Sequence, residues 1–334
     1  MSNAIEVVGL TKRFGELVAV DDLSFEVEAG HLFAFLGANG AGKSTTIGCL
    51  TTILGFDSGA AIISGHQLGQ NDDAIRRGIG VLFQHSVLDP LLTVRENLAS
   101  RAALYGLSRA AAAHRIKDLA AQVEAEDFLD QRYGTLSGGQ RRRADIARAL
   151  VHSPSVAFLD EPTSGLDPAS REQVWRTIGK LRRDQGTTIF LTTHYLEETE
   201  AADQIVVIDH GREVARGTPL DLRERFSTSV LTLVAAEASA ADVESALAAR
   251  SLTPETVPGG LRVELADAAQ ALALLSELGS ALADFEFRHG TMDDVFLALT
   301  KDEPDAAEPG SAPTGAPPRG RPVASRRPRG RGTP

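Results

Sequence analysis

The chain has 334 residues, is 43% apolar and carries a formal net charge of −11, so it can hold one large domain or two smaller ones around a substantial core. An acidic body argues against a nucleic-acid-binding surface. Apolar runs as short as Val156–Leu159 cannot span a bilayer, and the first residues do not read as a charged-then-apolar leader. The single cysteine, Cys49, excludes an intramolecular disulfide and reads as a packed core thiol in a reducing cytosol.

Ile5–Val8 and Leu23–Val27 alternate polar and apolar residues, as strands of an antiparallel edge layer do. His31–Leu36 reads as a short buried strand, and Thr45–Leu54 as a helix. Between them Gly37-Ala38-Asn39-Gly40-Ala41-Gly42-Lys43-Ser44 fits G-x-x-x-x-G-K-[ST], in the strand–loop–helix context that a phosphate-binding loop requires. Its glycines let successive backbone N–H groups turn inward around a polyphosphate, with the helix N-terminus adding its dipole. Lys43 is expected to reach the β- and γ-phosphates, and Ser44 to hold Mg²⁺. Taken alone, the octapeptide could also be a glycine-rich turn.

Asp57-Ser58-Gly59 signals a turn before a strand-like Ala60–Ser64, and Ile79–Phe83 forms another buried strand ending at Gln84. From about residue 93 to 151 the pattern becomes helical. Thr93-Val94-Arg95-Glu96 fits a capping box, and Ala- and Leu-rich periodic stretches follow to Leu129. Gln140–His152 reads as a basic amphipathic helix closed by Ser153-Pro154. Its run Arg141-Arg142-Arg143 invites a nucleic-acid reading, but on one helix face it reads as solvated or paired to acidic neighbours. Short apolar strands then return at Val156–Leu159, Thr188–Leu191 and Ile205–Ile208, separated by helical runs at Ser170–Asp184 and Leu196–Ala202. This alternation predicts an α/β sheet with crossover connections. Val156–Leu159 delivers Asp160 and Glu161 at its C-terminal end, the edge where such sheets bind ligands.

Residues 226–302 predict a small α+β accessory domain in the order β-α-β-α-β-α. Its strands are Val230–Val234, Leu261–Leu265 and Phe285–Phe287, and its helices Ala240–Arg250, Ala266–Leu278 and Met292–Leu299. Residues 303–334 form a Pro/Gly/Arg-rich segment that cannot bury enough apolar surface to offset its ordering entropy, so disorder is expected. Pro309–Pro334 contains six arginines and no acidic residue. It reads either as an inert solubilising tail or as a weak contact with anionic membrane.

The second motif, Leu136-Ser137-Gly138-Gly139-Gln140, removes the glycine-rich-turn alternative. With it, residues 5 to about 220 resemble the ATP-binding-cassette (ABC) ATPases. The resemblance implies an α/β P-loop NTPase cassette over residues 1–225: a RecA-like core, an antiparallel β layer and an inserted helical subdomain at about 93–151. ATP and Mg²⁺ are the implied cofactors, held by Gly37, Ala38, Asn39, Gly40, Ala41, Gly42, Lys43, Ser44 and Thr45.

By the same resemblance Asp160 serves Mg²⁺ through water, and Glu161 is the general base for the attacking water. Gln84 contacts Mg²⁺ and senses the γ-phosphate, and His194 is the switch histidine on that phosphate. Phe14 stands where an aromatic ring stacks on adenine; tyrosine is commoner there, and phenylalanine keeps the π face without the hydroxyl. Ser137, Gly138, Gly139 and Gln140 bind the γ-phosphate of ATP held by the opposite subunit of a head-to-tail homodimer, and Asp167 in Ser164–Asp167 lies on the loop crossing that interface.

Gly290–Thr300 is similar to the T-L-D-D-V-F-L-x-L-T ending of daunorubicin-resistance-type drug-export ATPases, with Met292 for the usual Leu and Lys301 for the Gly that follows. Leu91–Leu98 and Asp209–Arg212 are similar to that group as well. The implied protein is the ATP-hydrolysing subunit of a drug or antibiotic exporter. It would sit peripherally on the cytoplasmic membrane face against a separate permease, with no nucleic acid as partner. Lipid or polysaccharide export, or import, is the alternative.

Overall fold

The computed structural model describes residues 2–237 and 239–300, and the predicted tail at 303–334 lies outside them. β1 (Asn3–Phe14) and β2 (Leu17–Glu28) form a long antiparallel hairpin. β3 (Leu32–Leu36), buried at every residue, runs through the phosphate loop into α1 (Lys43–Leu50). The expected helix to Leu54 thus ends earlier and begins earlier. β4 (Ser58–Ile63) and β5 (His66–Gln67) return to the hairpin and complete an antiparallel sheet in the order β2-β1-β4-β5. α2 (Asp72–Gly78) then leads into β6 (Ile79–Leu82).

α3 (Val94–Leu104) opens on Thr93, whose hydroxyl and the Glu96 carboxylate satisfy each other's amides in the predicted capping box. α4 (Arg109–Gln122) packs beside it, and α5 (Gly138–Leu150) returns to the core. β7 (Val156–Asp160), α6 (Pro168–Gln185), β8 (Thr188–Thr193), α7 (Leu196–Thr199), β9 (Gln204–Asp209) and β10 (Arg212–Gly217) complete a six-stranded sheet. Its order is β10-β9-β3-β8-β7-β6, parallel except for the β9–β10 hairpin. Phenylalanines join the two sheets. Phe25 of β2 stacks on Phe33 with centroids 5.3 Å apart, and Phe190 lies 5.1 Å from Phe33 and 5.3 Å from Phe158. Cys49 is fully buried beneath them, and burial pushes its thiol up to about 11.

α8 (Pro219–Phe226) leaves the cassette. β11 (Ser229–Ala235), α9 (Ala240–Ala249), β12 (Glu255–Val257), β13 (Gly260–Leu265), α10 (Ala268–Leu278) and β14 (Leu282–Arg288) follow. The strands form an antiparallel sheet in the order β12-β13-β11-β14, with its own core of Leu231, Leu233, Val243, Leu247, Val263 and Leu274. The short β12, beginning a hairpin with β13, adds a strand to the predicted order. α11 (Met292–Thr300) then turns back to the cassette, where Met292 and Val295 join the buried cluster that contains Leu191 and Leu222.

Candidate functional site

Parallel strands bring four loops to one edge of the six-stranded sheet, after β3, β6, β7 and β8. The phosphate loop depends on glycine for two separate reasons. A Cβ on Gly42 would lie 2.4 Å from the Ala19 carbonyl oxygen of β2, and one on Gly37 would lie 2.5 Å from that of Ile208 in β9. Gly42 also stands at φ 104°, where side chains are strained, and caps α1. Beyond it the N–H groups of Lys43, Ser44 and Thr45 belong to the first helical turn and have no intrahelical partner. Lys43 is buried and its ammonium donates to the carbonyls of Gly37 at 2.7 Å and Ala38 at 2.9 Å. Burial pushes its pKa down, while the carboxylates of Glu161 and Asp160 act the other way.

One connected set of hydrogen bonds runs from this loop across the sheet edge. The Ser44 hydroxyl donates to Asp160 Oδ1 at 3.2 Å, and the Thr192 hydroxyl donates to the same oxygen at 2.6 Å. Glu161 N–H donates to Thr192 through both its carbonyl at 3.2 Å and its hydroxyl at 3.1 Å. The Glu161 carboxylate accepts from His194 Nδ1 at 3.1 Å on Oε1, and from Gln84 Nε2 at 3.4 Å on Oε2. An ionised carboxylate only accepts, so in this bond Nδ1 is the donor and the ring's Nε2 faces away from Glu161. Predicted residues Lys43, Ser44, Gln84, Asp160, Glu161 and His194 therefore meet at one place. Ser44 and Asp160 converge as hard oxygen donors, a pairing suited to Mg²⁺, which takes one or two protein oxygens and completes its shell with phosphate and water.

A second group stands apart from the first. Ser137 caps α5 and forms a capping box: its hydroxyl accepts from Gln140 N–H at 3.3 Å, and Gln140 Oε1 accepts from Ser137 N–H at 2.9 Å. The amides of Ser137 and Gln140 are therefore engaged within the capping box, which leaves those of Gly138 and Gly139 outside it. A Cβ on Gly139 would lie 2.3 Å from Ser170 Oγ, so close packing on α6 alone requires glycine there. Ser170 in turn donates N–H at 3.0 Å and hydroxyl at 2.6 Å to Asp167, which caps α6. Those bonds hold the exposed Asp167 carboxyl below its usual range. Among the described residues no side-chain hydrogen bond of Ser137, Gln140 or Asp167 reaches the first group. Phe14 is 48% exposed at the end of β1, with the Lys12 ammonium 5.2 Å from its ring centroid.

Of the run read as solvated or paired to acidic neighbours, Arg141 is exposed as expected, but the structure overturns that reading for Arg142 and Arg143, which are buried. α5 is buried on nearly every side, with Arg142, Arg143 and Arg148 inside. Arg143 donates to the Glu124 carbonyl and lies over the Phe128 ring at 5.0 Å. Arg142 and Arg148 of α5, and His152 just past its end, donate to the carbonyls of Phe83, Val81 and Ile79, alternate residues along the free edge of β6 and its first following residue. Edge carbonyls left open invite another strand; here one helix covers them. Neither this ladder nor Glu198 has a sequence signature. Glu198 is a buried carboxylate that accepts from Thr193 at 2.6 Å and from Thr163, joining the His194 loop to the loop after Glu161.

The ABC transporter family model matches residues 20–164. The chain is 42% identical over 307 residues to the daunorubicin/doxorubicin resistance ATP-binding protein DrrA of Streptomyces peucetius, covering 90% of this chain and 93% of that protein. It is 38% identical to the doxorubicin resistance ATP-binding protein DrrA of Mycobacterium tuberculosis, over 91% of this chain and 95% of that one. A Nod factor export ATP-binding protein of Burkholderia lata is 41% identical over 66% of this chain and 72% of its own. Among solved structures, the ATP-binding cassette MJ0796, a dimer in a post-hydrolysis state with ADP and Pi, superposes with a TM-score of 0.59 at 26% identity. That match covers 64% of this chain and 98% of that cassette.

Proposed function

The chain belongs to the ATP-binding proteins of ABC transporters, and from that premise we propose that it hydrolyses ATP to drive drug or antibiotic efflux through a separate permease. One observation carries the hydrolytic part: the Glu161 carboxylate, held on both oxygens by His194 and Gln84, lies in the same hydrogen-bonded set as Ser44 and Asp160 at the phosphate loop. Glu161 takes the proton of the attacking water. His194 and Gln84 orient that carboxylate and meet the γ-phosphate. Lys43 and the loop amides hold the β- and γ-phosphates, and Phe14 stacks on adenine. Ser44, Asp160 and Gln84 would hold Mg²⁺, which when bound neutralises phosphate charge.

The separation of Ser137–Gln140 and Asp167 from this set supports a head-to-tail homodimer. Each subunit's Gly138 and Gly139 amides, at a helix N-terminus, complete the anion site around ATP held by the other. ATP closes the dimer, and hydrolysis with product release reopens it. No helix among the described residues is long and apolar enough to cross a membrane. Transport therefore needs the permease, and the subunit works peripherally at the cytoplasmic face.

Drug export is favoured over lipid or polysaccharide export by extent. The drug-resistance relatives match 90% of this chain, whereas the Nod factor export relative matches 66%. Co-expression with a candidate membrane-spanning permease, followed by drug accumulation in intact cells, tests the cargo. Unchanged accumulation with an active ATPase would remove drug efflux and leave the ATPase reading standing.

A further inference from the structure

Arg142 sits two residues beyond the Ser137–Gln140 motif on α5, buried, with no ion pair to a carboxylate among the described residues. Its guanidinium is satisfied instead by four main-chain carbonyls. Nε donates to Pro162 at 2.6 Å, one terminal nitrogen to Phe83 at 2.7 Å, and the other to Asp160 at 2.9 Å and Glu161 at 2.5 Å. Three of these carbonyls are consecutive. They converge on one cation because Glu161, between the other two, stands at φ 45°, in the left-handed region. That conformation is strained for any residue but glycine and persists only where its surroundings hold it. The fourth carbonyl belongs to Phe83, the residue before Gln84.

We propose that Arg142 is a positioning residue that holds Glu161 and Gln84 in register with the N-terminal turn of the signature helix. It grips the backbone on both sides of the Glu161–Gln84 hydrogen bond, and its own backbone lies one turn from Gly138 and Gly139. A displacement of α5 when the opposite subunit's nucleotide seats on that turn is thereby passed to the general base of the same subunit. The planar fork of arginine matches this carbonyl set; the ammonium of lysine, a single point with three donors, cannot span it. The proposal rests on the reading of Glu161 as the base.

The test uses the full chain with Mg-ATP and the variants Arg142→Gln and Arg142→Lys. Misplacing a base without removing it should lower kcat by about 10–100-fold, with KM changed less than about threefold, and the lysine variant should recover part of the loss. In a Glu161→Gln background, Arg142→Gln should add nothing further to the loss of hydrolysis. Amide exchange should rise in peptides covering residues 80–86 and 157–164. Wild-type turnover in Arg142→Gln, multiplicative losses in the double variant, or a joint collapse of kcat, ATP affinity and melting temperature would overturn the proposal. A wild-type protein with no ATPase would overturn the reading of Glu161, and the exchange measurement would then decide whether Arg142 holds both segments.

Discussion

His194 Nδ1 lies 3.1 Å from Glu161 Oε1, joining residues that follow the ends of adjacent parallel strands β8 and β7. The bond orients the carboxylate from one side while Gln84 orients it from the other at 3.4 Å. Replacing Glu161 with Gln keeps size and hydrogen-bonding reach but removes the proton acceptor. Turnover should fall by about 10²–10⁴, equivalent to about 3–5 kcal/mol of barrier. The ATP-bound dimer should accumulate in size-exclusion chromatography. Lys43→Ala should instead lose nucleotide binding and never form that dimer. A Glu161→Gln protein with wild-type turnover would remove Glu161 from the base role.

Gly139→Ala places a methyl group 2.3 Å from Ser170 Oγ and 2.8 Å from its Cβ. Overpacking of this kind costs about 1–3 kcal/mol, and here it pushes α5 away from α6. Melting temperature and ATP-driven dimerisation should both fall. Ser170→Gly in the same chain removes both opposing atoms and should restore part of each. A Gly139→Ala protein of unchanged stability would show that the contact yields freely.

His152 is held down to about 4, first by burial and then by the charges of Arg101, Arg115 and Arg148, against the raising effect of its bond to Ile79. Its Nδ1 is buried with no partner, so a second proton would add an unsatisfied N–H. The folded state thus binds this proton less readily than the unfolded chain. Stability contributed by the neutral ring is fully present above about 6.5 and is lost as pH falls towards about 4. Melting temperature should drop through that window, and His152→Gln, which can still donate to Ile79, should flatten the drop. Equal slopes for the two proteins would remove His152 as the source.

Val295 is fully buried where α11 meets the cassette cluster. Val295→Asp buries an unpaired charge, at a cost of about 3–5 kcal/mol, and should lower the cassette's melting temperature although it lies far along the chain from every predicted nucleotide residue. A loss confined to residues 229–290, read by amide exchange, would mean that α11 belongs energetically to the accessory sheet alone.

Deleting Pro309–Pro334 removes six arginines and no acidic residue. Each arginine near an anionic leaflet contributes about 1 kcal/mol, screened within a Debye length. Binding to anionic liposomes at low salt should weaken while ATPase rate stays the same. Equal liposome binding would leave the segment a solubilising tail.

The local elements were legible because each follows from residues close in the chain. Continuous apolar runs at Leu32–Leu36 and Val156–Leu159 suit strands buried on both faces, Thr93 and Glu96 satisfy each other's amides, and a G-x-x-x-x-G-K-S run between strand and helix leaves one sterically open path. The residue types at Asp160, Glu161, Gln84 and His194 were legible too, through their register at strand ends. Tertiary packing decided what holds them. The arginines of α5 have the composition of a solvated face, and only the covered edge of β6 and the left-handed turn at Glu161 supply carbonyls to satisfy them inside. Gly139 has an anion-binding motif's sequence, yet its steric demand comes from Ser170, 31 residues away in number and in direct contact in space. Met292 and Val295 form an amphipathic stripe that any apolar surface could receive, and the fold alone selected the cassette. Periodicity and motif report which atoms need partners, and long-range contact determines which partners they meet.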